Sequence, residues 1–149
     1  MGIKNLLEEQ LKIALREKKD TRKNALRMAL ASIKMAEIDG QKQLDDAVII
    51  TIIQKEIKTR DETIEEARKA GREDMIFNLE AEKEVLSEFL PKPLTDQELQ
   101  ELVKKNIQDV GAESIKDMGE VMKSAIKDAG GKASNDRISQ FVRKILSGE

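Results

Sequence analysis

Glu62 with Glu66 and Glu80 with Glu84 stand four residues apart, which puts each carboxylate pair on one face of a helix. Such pairs do acid–base work or hold magnesium when a pocket encloses them, and are otherwise solvated surface, the commoner case. Much of the usual catalytic set is missing. The chain has no histidine and no cysteine, which removes the commonest general base, a thiolate nucleophile and the usual zinc ligands. The serines stand singly, and none sits in a Gly-x-Ser-x-Gly elbow. Gly130-Gly131-Lys132-Ala133-Ser134 faintly echoes a phosphate loop. Ile126 stands where that loop needs its first glycine, and Ala133 stands where it needs Ser or Thr after the lysine. No catalytic residue, cofactor or metal site is expected.

Binding is the chemistry left. Lys23, Arg27 and Lys34 fall at i, i+4 and i+11, on one stripe of a helix, and Lys12, Arg16 and Lys19 repeat the pattern upstream. They are suited to gripping phosphates, or they are a solvated helix face. With three Phe, no Trp and no Tyr, little stacking on unpaired bases is available. An RNA reading therefore points to phosphate and shape recognition of a structured molecule. Arg60 occupies an apolar seam between Ile57 and Ile64. It pairs with a buried acid, reaches a ligand, or, the favoured expectation, buries its stem and keeps its head in water. Gly119 lies inside the helical run Met118-Gly119-Glu120-Val121-Met122-Lys123, at a cost of about 1 kcal/mol relative to Ala. Close internal packing of the helix is the expected reason, and approach of a partner the alternative.

These residues must be held by helices. Of 149 residues, 39% are apolar and 38% charged, the latter well above an ordinary domain. Leu, Ile, Ala, Met, Glu and Lys dominate, and two prolines leave few breaks, so an all-α fold is expected. The net charge of −2 hides segregation. Residues 12–34 hold eight bases against Glu17 and Asp20; residues 61–88 hold ten acids against four bases; residues 123–144 hold six bases against Asp128 and Asp136. These segments either steer a charged partner or attract one another within the fold. No apolar run is long enough to span a membrane. The start of the chain shows no long apolar stretch, and Leu6 spoils a myristoylation motif, so a cytoplasmic protein is expected.

Periodicity places helices over about 3–18, 20–38, 45–70, 73–89, 96–110, 114–129 and 135–146. Asp20 is expected as an N-cap, Asp39-Gly40 as a turn, and Gly71 as a helix stop. Ile50, Ile53, Ile57, Ile64 and Ala67 follow a heptad-like seam. Thr95-Asp96-Gln97-Glu98 and Ser114-Ile115-Lys116-Asp117 read as capping boxes that open helices. Leu90-Pro91-Lys92-Pro93-Leu94 stiffens the chain and separates an N-terminal helical hairpin domain, 1–92, from a small three-helix C-terminal domain, 93–149.

Arg27-Met28, Lys58-x-Arg60, Gly71-Arg72-x-Asp74, Phe89-Leu90-Pro91, Asp117-Met118-Gly119-x-Val121-Met122-Lys123 and Gly131-Lys132-Ala133 occur in this order along nearly the whole chain. In them the chain resembles the YqeY-like proteins. The C-terminal part of that family is similar to the tail of the GatB subunit of glutamine-dependent tRNA amidotransferase. The resemblance implies the same two-part helical organisation and a tail that contacts tRNA while amide transfer occurs elsewhere. It carries over Met118, Gly119, Met122, Lys123, Gly131 and Lys132 as candidate contacts, beside Lys23, Arg27, Lys34 and Arg60. Glu120 and Ser134-Asn135 depart from the family pattern, which commonly has Lys and Asp-Gly there. The function expected is a non-catalytic, tRNA-associated binding module, whose partner is tRNA or a protein of the amidotransferase or translation machinery. A protein-interaction or structural module is the first alternative. A carbon–nitrogen ligase activity, implied by the family alone, is the second.

Overall fold

The computed structural model describes residues 2–148, all of whose regular structure is helical: α1 (Ile3–Arg16), α2 (Asp20–Gly40), α3 (Asp46–Lys69), α4 (Glu73–Ser87), α5 (Asp96–Val110), α6 (Met118–Ala129) and α7 (Asn135–Leu146). The backbone forms two compact units, Met1–Leu90 and Pro91–Glu149. No helix among the described residues is long and apolar enough to cross a membrane.

In the first unit, α3 and α4 fold back on each other at Gly71. Its left-handed backbone, φ 71°, suits a residue without a Cβ. The core joins Leu7 and Ala14 of α1, Leu26, Ala29 and Ile33 of α2, Ile49 and Ile53 of α3, and Leu86 of α4, all essentially unexposed. Ion pairs fasten the edges. Lys4 Nζ lies 2.8 Å from Glu37 Oε1, tying α1 to α2. Arg22 of α2 reaches Glu88 at 2.5 Å and Gln10 of α1 at 3.0 Å.

Three local expectations change. Asp20 is the first residue of α2 and makes no capping bond; Lys19 occupies the cap position. Asp39 and Gly40 stay in the helix, and Gln41 takes the left-handed closing position instead, φ 54°. Its N–H and that of Lys42 bond back to the carbonyls of Ile38 and Glu37, each at 3.2 Å, which meets the needs of the helix end one residue late. In α3 it is Ile49, not Ile50, that is buried, so the seam begins one residue earlier.

The second unit packs Leu99, Val103, Val121, Ala125, Ile138 and Val142 at its centre. Thr95 and Glu98 form the capping box of α5, with bonds of 3.0 and 3.1 Å. Ser114 and Asp117 form the second box, but it opens a short 3-10 turn, Ile115–Asp117, ahead of α6. Arg137 of α7 donates to the Leu94 carbonyl and to Asp96, both at 2.7 Å, clamping the start of α5.

The Glu98 carboxyl is held below the usual glutamate range, first by the Thr95 backbone N–H and then by the Thr95 side chain. Its contribution to stability is therefore complete above the ordinary value of roughly 4.3 and is lost as the pH falls through the lower folded value. Thr95→Ala should cost the second unit about 1 kcal/mol in denaturant unfolding. The destabilisation caused by Glu98→Ala should be full at neutral pH and vanish in acid; a penalty that persists at low pH contradicts the capping role.

Candidate functional site

The residues singled out by sequence do not converge on one site. Arg60 is buried, 4% exposed, with its guanidinium inside the first unit. Its Nη1 donates to the carbonyl and the carboxylate of Glu56, both at 3.0 Å. Its Nε and Nη2 donate to Glu82 of α4 at 3.3 and 3.1 Å, and Nη2 also meets the Met28 sulfur of α2 at 3.4 Å. Every guanidinium N–H thus has an acceptor. Glu56 in turn accepts from the Ser32 hydroxyl of α2 at 2.5 Å. The water-facing head expected for Arg60 is overturned: two half-buried carboxylates hold it inside. It is a structural clasp across three helices and offers no free group to a ligand.

The basic stripe of α2 divides. Lys23 lies 3.5 Å from Asp20. Arg27 and Lys34 are exposed and have no ion pair among the described residues. Of the segregated charge, Arg22 with Glu88 joins the basic helix to the acidic one; Lys19 pairs locally with Glu17 at 3.2 Å. The paired carboxylates Glu62, Glu66, Glu80 and Glu84 are all exposed, as a solvated surface requires. An open cleft of about 610 Å³ lies between the start of α2 and the end of α4, and its charged walls include the Arg22–Glu88 pair. A second, of about 480 Å³, lies between Ile57 and Phe77. Ser87 lines the second cleft, and its hydroxyl donates to the Glu84 backbone carbonyl at 2.8 Å.

In the second unit, Met118 and Met122 are half-buried against the core, while Gly119 and Lys123 are exposed. A Cβ at Gly119 would meet nothing within 4 Å, so close internal packing does not explain this glycine. Gly131 and Lys132 lie beyond the other end of α6, a helix of 12 residues, or about 18 Å. The Lys132 carbonyl accepts from the Leu94 N–H at 2.9 Å. Its charge, with that of Lys92, helps depress Glu98.

Sequence reasoning missed Asn106. It is 3% exposed and donates to the Leu102 carbonyl at 2.8 Å and to Asp128 at 3.0 Å, while accepting from Ser124 at 2.5 Å. The signal was a lone amide on the apolar face Leu99-Val103-Asn106-Val110. Glu56 and Glu82 were missed as partners of Arg60, and only their positions hinted at them. Glu56 is one helical turn before Arg60, and Glu82 and Arg60 stand equally far from the Gly71 turn.

The family described as Yqey-like protein matches residues 4–146. Altered inheritance of mitochondria protein 41, mitochondrial, of Pyrenophora tritici-repentis is 29% identical over 143 residues, covering 94% of this chain and 78% of that protein. The protein of the same name from Lachancea thermotolerans is 38% identical over 85 residues, 56% of this chain and 46% of that protein. Its counterpart in Meyerozyma guilliermondii is 34% identical over 86 residues, 58% and 45% respectively. The match therefore spans less than half the length of the latter two relatives. All three carry the word mitochondrial in their names, which overturns the expectation of a cytoplasmic protein.

Removing Arg60 leaves Glu56 and Glu82 half-buried without their cation. Arg60→Ala should destabilise the first unit by about 3 kcal/mol. Arg60→Met combined with Glu56→Gln and Glu82→Gln should recover most of that loss, because no unpaired charge remains. Urea unfolding of the variants measures both, and an unchanged Arg60→Ala midpoint refutes the clasp.

Proposed function

The chain belongs to the YqeY-like family, and we propose that it is a non-catalytic helical module that binds tRNA through phosphate contacts. The observation that carries the reading is a row of unpaired cations on the second unit. Lys116, Lys123 and Lys127 recur at i, i+7 and i+11 along α6 and the turn that leads into it. All three are exposed and have no ion pair among the described residues. Two of these cations lie on α6 and one on the 3-10 turn before it, with the exposed Glu120 among them; the row carries a net positive charge that suits the spaced negative charges of a nucleic-acid backbone. Gly119 stands beside this row with open space around it, so a phosphate backbone can approach the helix closely. The resemblance of this unit to the GatB tail supports tRNA as the nucleic acid. Phe77 is the one strongly exposed ring among the described residues, which favours duplex shape over stacking on unpaired bases.

Binding of tRNA to the purified chain should be measurable at roughly 50 mM salt and weaken steeply as salt rises. Replacing Lys116, Lys123 and Lys127 with Gln should flatten the log–log salt dependence by roughly 0.7 to 0.9 for each phosphate that is no longer neutralised. Affinity that is absent at low salt, or a slope that the triple variant leaves unchanged, removes the reading.

A further inference from the structure

We infer that the outer face of α2 is a docking site for an acidic amphipathic helix of a partner protein. The helix is apolar on two faces. One face, with Ala25, Leu26, Ala29 and Ile33, is fully buried in the first unit. The other carries Met28, Ala31, Met35 and Ile38 at i, i+3, i+7 and i+10, the spacing of anchors that seat one helix on another. Met35 is 65% exposed and Ile38 64%; Met28 is 52% exposed, with its sulfur turned to Arg60 and the rest of the side chain at the edge of the stripe. The stripe runs about 15 Å, three helical turns. Two of its members are methionines, whose unbranched side chains adapt to an incoming surface.

Charge selects the occupant. Arg27 flanks Met28 and Lys34 flanks Met35 on the same edge of the stripe, and neither has an ion pair among the described residues. A helix with acids along one flank and aliphatic side chains on its face satisfies both features together. A second copy laid antiparallel on this face sets each basic row against its own counterpart, so like charges oppose. An RNA backbone offers nothing apolar to cover Met35 and Ile38. An anionic membrane surface suits the charges, but the stripe has no Trp, Tyr or Phe to anchor it there. The site uses none of the α6 lysines, so its test does not depend on tRNA binding.

The probe is a labelled synthetic helix of about 18 residues, long enough to fold on contact, with Leu at the anchor spacing and Glu along the flanks. A matched peptide carries Lys in place of Glu. The full chain should bind the Glu peptide and discriminate against the Lys peptide. Met35→Asp and Ile38→Asp should each weaken binding about tenfold or more. Arg27→Glu with Lys34→Glu should reverse the preference between the peptides. The substituted side chains are exposed, so circular dichroism melts should match those of the unaltered chain. Failure to bind the Glu peptide, equal binding of both peptides, or variants that bind normally overturn the proposal. So does concentration-dependent dimerisation abolished by Met35→Asp, or binding to phosphatidylserine vesicles that disappears in the same variants.

Discussion

The first unit is organised around a guanidinium that has no water to turn to. Arg60 sits where a heptad seam calls for an aliphatic side chain, and its charge would be costly there without acceptors. Glu56, one turn back on the same helix, Glu82 on α4 and the Met28 sulfur on α2 meet all of its donors. A cation with fixed fork geometry accepts few arrangements of its neighbours. The register of α3 on α4 and the approach of α2 to α3 are therefore specified together. Apolar packing alone would tolerate more sliding of these helices, since hydrophobic attraction is non-directional.

Fixing α2 in this way has a surface consequence. Ala25, Leu26, Ala29 and Ile33 are committed to the core, and Leu30 packs at its edge. Met35 and Ile38 are left outside, with Met28 partly exposed at the edge of the clasp and Arg27 and Lys34 beside them. The second unit uses a related device. Asn106 joins α5 to α6 through Ser124 and Asp128, and the outward face of α6 then carries its lysines unpaired. In both units, a buried polar group joins neighbouring helices while cations close to it in sequence stay exposed at the surface. The arrangement suits holding and orienting other molecules.

Helix number, the capping boxes and the stop at Gly71 were legible because each depends on residues within a few positions of one another. The fate of Arg60 was not. Its burial depends on Glu82, which α4 delivers only after the chain has turned at Gly71. Asp39-Gly40 misled for a related reason: it has the composition of a turn, but the carbonyls of Glu37 and Ile38 are satisfied by Lys42 and Gln41, one residue later. The cations of α2 were legible as a stripe, but not which of them are free, because Lys23 is held by Asp20 and Arg22 by Glu88. Gly119 was legible as unusual, and only the packing shows that the space beside it is open. Family membership came from motifs read in order, whereas the names of the relatives, all mitochondrial, run against the location that composition suggested.

The most direct measurement of the clasp is a double-mutant cycle between Arg60 and Glu82, using Arg60→Met, Glu82→Gln and the combined variant in equilibrium unfolding. If the buried contact sets the register of α3 on α4, the two substitutions should be non-additive, with a coupling of about 1 to 3 kcal/mol. Additivity within roughly 0.3 kcal/mol would show that the helices are held in register without this pair, and would contradict the account.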